Sequence, residues 1–262
     1  MAPTPVGFRF RPTKTTLHRY DAHELRGPLP AVLYKVLPRV YAERLVGEGE
    51  MMWSTLRWFQ NEEHPDRGDE FEGTHRHFPE DGLRLTRREH LGRPDSTAML
   101  LPDEGIHSAA RKAHHIFIYS MTLDQTVSIG DDPTMVRVEI FDPQKLIELL
   151  SKTLQRHPKA RASTLIYDTV DYWSTTDEIG PTYALPHLIT MRKQKRFEGQ
   201  REYRFAFGIR ANVFDFENVD YQTRHKDYRD VRERLDPQRH RLKLRLGPLQ
   251  DCCRLLETER VS

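Results

Sequence analysis

The sequence predicts an α+β fold in a single domain, and three observations lead there. Several segments alternate apolar and polar residues with period two, and one capped segment repeats at helical spacing. The order of strands and helices follows neither a regular βαβ alternation nor an internal repeat. At 262 residues the chain is long enough for one large core, and 10% aromatic residues can anchor it. Hydrophobic residues make up 37% and charged residues 31%, which is polar but short of a disordered composition.

Residues 1–30 carry Pro3, Pro5, Pro12, Pro28 and Pro30 and read as an extended lead-in, so the domain is assigned to 31–262. Ala31 to Leu37 reads as a buried strand. Pro38 fits the first turn of a helix that Gly47 would end. Glu50 to Thr55 reads as a second strand, and Leu56 to Asn61 as a helical turn. Gly82 to about Gly105 is polar, carries Gly92, Pro94 and Pro102, and reads as a long loop. His115 to Met121 is the clearest strand, β-branched and aromatic throughout. Met135 to Phe141 alternates with period two. Asp142 then caps a helix with Pro143 at its first position, and Leu146, Ile147, Leu150 and Leu154 share one face. Ala162 to Val170 is read as a strand and Leu185 to Glu198 as a helix or loop. Glu202 to Gly208 and Arg241 to Leu246 alternate as strands, the latter with three leucines inward and three cations outward. Pro248 to Glu259 is read as a short closing helix.

No run of about 18 apolar residues is present, which excludes a membrane-spanning helix. The opening residues lack the apolar segment of a secretory signal. The two cysteines, Cys252 and Cys253, are adjacent, a poor geometry for a disulfide and too few ligands for zinc. A reducing cytoplasm is the expected location. Net charge is only +2, but Arg224 to Arg245 holds nine Lys/Arg against four Asp/Glu, and Asn61 to Glu72 holds six acids against one Arg. Such an arrangement suits either an anionic partner on one face or ordinary solvated surfaces.

Familiar catalytic signatures are missing: there is no phosphate-binding Gly-x-x-x-x-Gly-Lys, no Gly-x-Gly-x-x-Gly and no Gly-x-Ser-x-Gly. His75 and His77 alternate on an expected strand, and with Asp69, Glu70 or Glu72 they have the donor types for a divalent cation. Surface histidines in a polar protein are the simpler explanation, and no metal is expected.

Three segments remain. One is Leu33-Tyr34-Lys35. The second is Trp53-Ser54-Thr55-Leu56-Arg57-Trp58-Phe59, running into Arg67-Gly68-Asp69-Glu70-Phe71-Glu72-Gly73. The third is Lys195-Arg196-Phe197-Glu198-Gly199-Gln200-Arg201-Glu202-Tyr203-Arg204-Phe205. Their order and spacing over roughly residues 31 to 208 resemble a bacterial family marked by Tyr-Lys-Tyr, a Ser/Thr strand, Asn-Asp-Pro-Phe-Glu and a closing Glu-Tyr-Arg. This chain departs from that pattern at Val36, at the proline-free Asp69-Glu70-Phe71-Glu72, and at Gln200.

The layout is in turn similar to the ADP-ribosyltransferase fold of DarT-like toxins that modify nucleic acid. The resemblance implies a split antiparallel sheet with peripheral helices, NAD as substrate, a nucleic-acid acceptor and a neutralising antitoxin protein. It assigns catalysis to Glu202 with Arg57 beside it. NAD binding falls to Tyr34, Lys35, Ser54, Thr55, Arg67, Tyr119 and Ser120. Cleavage of the nicotinamide–ribose bond makes the ribose cationic, and a nearby carboxylate stabilises it or activates the incoming nucleophile. Arg201, Arg204, Arg239, Arg241, Lys243 and Arg245 are expected to meet nucleic-acid phosphates. Trp53, Trp58, Trp173 and Tyr203 are expected to stack on bases. Two alternatives stay open: a metal-dependent nuclease built on Asp69, Glu70 and Glu72 with His75 or His77, and a non-catalytic nucleic-acid-binding protein.

Overall fold

The computed structural model describes residues 26–61, 69–85, 99–127, 134–177, 185–215, 218–228 and 234–256. Its strands are β1 (Leu33–Pro38), β2 (Glu50–Thr55), β3 (Thr74–His77), β4 (Leu83–Leu85), β5 (Met99–Leu101), β6 (Glu104–Ala110), β7 (Ile116–Thr122) and β8 (Met135–Ile140). They continue with β9 (Ile166–Thr169), β10 (Asp171–Trp173), β11 (Arg192–Gln194), β12 (Glu202–Gly208), β13 (Val219–His225), β14 (Arg241–Arg245) and β15 (Cys253–Leu256). The helices are α1 (Arg39–Glu48), α2 (Leu56–Asn61), α3 (Pro143–Arg156), α4 (Pro186–Thr190) and α5 (Pro237–His240). The fold is mixed α and β and mostly sheet. No helix among the described residues is long and apolar enough to cross a membrane.

The main sheet forks. β12 runs antiparallel along the whole of β7, from Glu202 opposite Thr122 to Gly208 opposite Ile116. That occupies one edge of β7, so its two other partners must share the second edge. β2 takes one end, with Ser54 opposite Ile118 and Thr55 opposite Phe117. β1 takes the other, with Tyr34 opposite Thr122. Beyond the fork, β1 continues through β8 to β15, β2 continues to β14, and β12 continues to β9. A separate sheet of β13, β6 and β3 lies beside it.

Period-two alternation sorts the stem strands into two buried faces. Tyr203, Phe205 and Phe207 of β12 and Phe117, Tyr119 and Met121 of β7 join Trp53, Leu33 and the inner face of α3 in the larger core. The opposite face carries Ala206, Ile116 and Ile118, which pack with Leu56, Met191 and Phe214 in a second cluster. Every residue of β12 is buried as a result. The sequence pattern predicts one wet face here; the structure covers that face with α4, β11 and the β3 region, and its polar residues are satisfied internally.

α3 matches its sequence signals. The Asp142 carboxylate accepts from the Lys145 amide at 3.0 Å, Pro143 opens the first turn, and Leu146, Ile147, Leu150 and Leu154 are buried. Other elements differ. α1 ends at Gly49 rather than Gly47: Gly49 adopts φ 65°, and its N–H closes the helix on Arg44 and Leu45. A side chain there would also strike the Gly247 carbonyl. The segment read as a loop from Gly82 to Gly105 contains β4, β5 and the start of β6. Residues Ala162–Thr164 form a 3₁₀ turn before β9.

The expected closing helix is instead the edge strand β15. Its Cys253 lies opposite Ile140, and Cys252 and Cys253 are buried free thiols. The unsatisfied edge of β8 was not visible in the local pattern, and β15 completes it. Of the expected lead-in, the described residues begin at Arg26, which bridges to Tyr167.

Leu150 is fully buried in the larger core. Leu150→Ala is expected to lower stability by about 2–5 kcal/mol in urea unfolding, and Asp142→Ala by about 1 kcal/mol. Equal effects of the two would contradict the packing described for α3.

Candidate functional site

Among the described residues, the fork leaves the β7 edge without a strand partner between its two contacts, over Tyr119 to Met121. A backbone carbonyl exposed there needs a donor. Lys35 supplies it: its Nζ donates to the Ser120 carbonyl at 2.5 Å and lies 4.5 Å from the centre of the Tyr119 ring. Between the diverging strands opens a cleft of about 360 Å³, lined by Tyr34, Lys35, Ser54, Tyr119, Ser120 and Glu202, with Trp58, Lys193 and Arg241 also on its walls. Five of the predicted NAD-binding residues and the predicted catalytic acid therefore share one cavity. The Arg241 guanidinium sits 4.3 Å from the centre of the Trp58 ring, a cation–π contact at the rim.

Glu202 stands at the head of β12 because the preceding residue turns the chain sharply. Arg201 adopts φ 42°, ψ 52°, the left-handed conformation, directly after the 3₁₀ turn Lys195–Gln200. For a residue other than glycine this costs roughly 1–2 kcal/mol. The Glu202 amide donates to the Tyr172 hydroxyl at 2.8 Å.

The Glu202 carboxylate has partners at both oxygens. Arg204 Nε donates to Oε1 at 2.8 Å, and Lys193 Nζ donates to Oε2 at 2.9 Å. Arg204, fully buried, also reaches Glu72 at 2.6 Å through Nη1 and the Thr190 carbonyl at 2.5 Å. Lys193 in addition donates to Gln200 at 2.8 Å. Two acids and two cations thus form one buried chain of contacts. Burial opposes ionisation of Glu202, but Arg204 and Lys193, with hydrogen bonds from Ser120 and Lys193, hold its carboxyl well below the usual range. Among the described residues, Arg204 is the donor to both Glu72 carboxylate oxygens. Burial pushes its carboxyl up to about 7 against the pull of Arg204 and Lys193, helped by the charges of Asp69 and Glu202. Protons arriving as pH falls therefore go to Glu72 before Glu202.

Several expected assignments need correction. Arg204 is enclosed by this network and is not available to a nucleic-acid phosphate. Arg57 does not line the forked cleft; it lies in a second groove and donates to Gln60 at 2.9 Å. Thr55 is buried, and its hydroxyl bonds His240 Nδ1 at 2.8 Å instead of facing the cleft. Trp53, Trp173 and Tyr203 are buried, so of the four aromatics expected to stack on bases Trp58 alone borders a cavity.

The cations of α5 and β14 divide: Lys243 and Arg245 reach Glu50 at 2.9 and 3.3 Å, whereas Arg239 and Arg241 line the second groove. Arg201 is largely exposed and lies 3.4 Å from Asp124. Arg67 lies outside the described residues.

The carboxylate–histidine set of the nuclease alternative is not assembled among the described residues. Glu72 is held by Arg204, and His75 packs its ring 4.5 Å from that of Trp173 with Arg192 beside it. Sequence reasoning missed Lys193, which completes the network. Its signal was its place ten residues before Tyr203 in a basic run, a weak cue without the pairing of β10 with β11. Neither a protein-family model, a curated protein nor a solved structure matches the chain.

Arg204→Met would leave two buried carboxylates without their shared cation and is expected to cost about 3–5 kcal/mol in chemical unfolding. A loss below about 1 kcal/mol would mean the network is not closed in solution.

The pH dependence has opposing parts. Glu72, raised from 4.5 to about 7, contributes stability present below 4.5 and lost as pH rises through 7. His75, lowered from 6.5 to about 2 by burial and by Arg192, contributes the reverse: stability present above 6.5 and lost as pH falls. Relative to the parent, Glu72→Gln should therefore make urea midpoints climb more steeply with pH between 4.5 and 6.5, and His75→Phe should make them climb less steeply. Identical slopes in both variants would refute these assignments.

Proposed function

We propose that the chain is an ADP-ribosyltransferase that cleaves NAD in the forked cleft, with a nucleic acid as acceptor. The observation that carries this reading is the fork itself. It gathers a fixed, ionised carboxylate, two lysines, a hydroxyl from β2 and aromatic rings around one small cavity. At about 360 Å³ the cavity is at the small end of ligand pockets and suits the nucleoside half of a dinucleotide. Lys35 and Arg241 have the charge to meet a pyrophosphate, and Tyr34 and Trp58 offer ring faces to a nicotinamide or adenine.

In this reading the nicotinamide–ribose bond breaks with its electron pair leaving on nicotinamide. Positive charge then develops on the ribose. Glu202 is ionised and held in place before the reaction, so it stabilises that charge without reorganisation. Lys193 and Arg204 fix its geometry and keep it from taking a proton in the neutral range. The acceptor attacks the ribose carbon from the open side and releases its proton to water. The basic segment from Arg224 to Arg245 favours an anionic acceptor. A neutralising partner protein belongs to the same proposal, since an activity of this kind harms the cell that makes it.

A second reading has its own observation. Both Glu202 oxygens already accept from cations, which suits a structural ion network under a cleft that binds a nucleotide without cleaving it.

One experiment separates the two. The protein is incubated with NAD labelled in its adenylate half, together with separate pools of RNA, DNA and protein. Label is expected in a nucleic-acid pool, with release of nicotinamide. Glu202→Gln is expected to slow turnover by about 10² to 10³ with NAD binding largely retained. NAD binding with no nicotinamide release in any pool would favour the binding reading, and an unaltered rate in the Gln variant would remove Glu202 from catalysis.

A further inference from the structure

A second cavity, of about 800 Å³, lies beside the forked cleft and shares Arg241 with it. Its apolar floor includes Phe117, Ala110 and Ile209. Its walls are cationic from several directions. Arg57 comes from α2, His114 from the 3₁₀ turn before β7, Arg224 from β13, and Arg239, His240 and Arg241 from α5 and the start of β14. Among the described residues Asp220 is the one acid lining it, and Arg111 holds that carboxylate at 2.6 Å.

Like charges so converged repel one another, and the histidines register it. Burial first, then Arg210 and Arg57, hold His114 below its ordinary value; burial first, then His114 and Arg57, do the same to His240. An anion in the groove would relieve this repulsion and gain contacts from opposite walls at once. A polymer lying across the surface asks for cations along a stripe. These cations surround a cavity of the size that takes a small molecule.

We infer that this groove is a second ligand site, for a compact oligophosphate such as a nucleoside triphosphate. The guanidinium groups of Arg57, Arg224, Arg239 and Arg241 take the phosphates. The inference does not rest on NAD cleavage in the forked cleft, and it is tested without NAD.

Calorimetric titrations with inorganic tripolyphosphate and with ATP, at two salt concentrations, measure binding to the full chain. Saturable binding of at least one of the two is expected, weakened by salt. Arg239→Glu, a change at a largely exposed side chain, should weaken it by at least about tenfold. Arg57→Ala with Arg239→Ala should abolish it. Lys145→Ala, which removes a cation paired with Asp251 on α3, should leave it unchanged. Tighter binding of ATP than tripolyphosphate would assign the base a place on the apolar floor, and equal binding would restrict recognition to phosphates. Either accords with the site. The inference is overturned if neither compound binds, if Arg239→Glu binds as the parent does, or if a twelve-nucleotide single strand binds the groove cations while both compact phosphates fail. Arg239→Glu keeps the test decisive even where the double variant does not fold.

Discussion

Arg204 ties together distant parts of the chain through one buried side chain. Glu72 lies 132 residues before it, Glu202 two residues before it on the same strand face, and the Thr190 carbonyl closes the last turn of α4. A guanidinium carries five donors in a plane, and here it serves two carboxylates and a carbonyl without contact with water. The desolvation cost of burying four charged groups is tolerable only because each contact is at hydrogen-bond distance and the set is close to neutral. The turn after Asp69 delivers Glu72, the pairing of β10 with β11 delivers Lys193, and the strained Arg201 sets the start of the strand.

The fork in the sheet is the second constraint, and it follows from counting edges. A strand has two, and β7 must serve three neighbours. β12 takes a full edge, so β1 and β2 diverge from opposite ends of the other. Divergence opens a cavity between them and exposes main-chain groups in its floor. Lys35 answers the exposed Ser120 carbonyl, which places an ammonium inside the cavity. A cation in a cleft beside an ionised carboxylate is thus partly a consequence of how the sheet splits. Chemistry and scaffold have the same origin here, and a change at Lys35 would disturb both.

Elements whose signals are local were legible in the sequence. α3 announced itself through Asp142, Pro143 and four leucine-family residues at helical spacing, β7 through a β-branched and aromatic run, and β8 and β12 through period-two alternation. What failed depended on distant partners. β15 contains no strong strand pattern and forms because the edge of β8 needs covering. β12 alternates as a half-wet strand does, yet Glu202 and Arg204 are buried because Glu72 and Lys193 arrive to meet them. The candidate cleft was legible in part: Tyr34, Lys35, Ser54, Tyr119, Ser120 and Glu202 meet, although they come from four strands. Arg57 and Thr55 leave the surface of Ser54 in two ways. Thr55, the next residue of β2, turns its hydroxyl to His240, and the chain then enters α2 at Leu56 and carries Arg57 to the adjoining groove.

The basic composition of the C-terminal segment divides in the same way once acids are placed. Glu50 faces Lys243 and Arg245 across the β14–β2 pair, so two cations of the alternating strand meet a carboxylate of their own sheet. Glu50's carboxyl lies below its ordinary range, first through its hydrogen bond with Lys243, which shows where that charge is directed. Arg239, on α5 with Asp236 3.6 Å away, and Arg241, at the start of β14 over the Trp58 ring, lie at the other end and line the groove. A positive strand is therefore not a uniform positive surface. Its outward charge is concentrated at one end, where two cavities adjoin and Arg241 belongs to both. Any anion that draws the Arg241 guanidinium toward one cavity removes it from the other. Ligands in the forked cleft and in the groove would then be linked through a single side chain, with no movement of the sheet required.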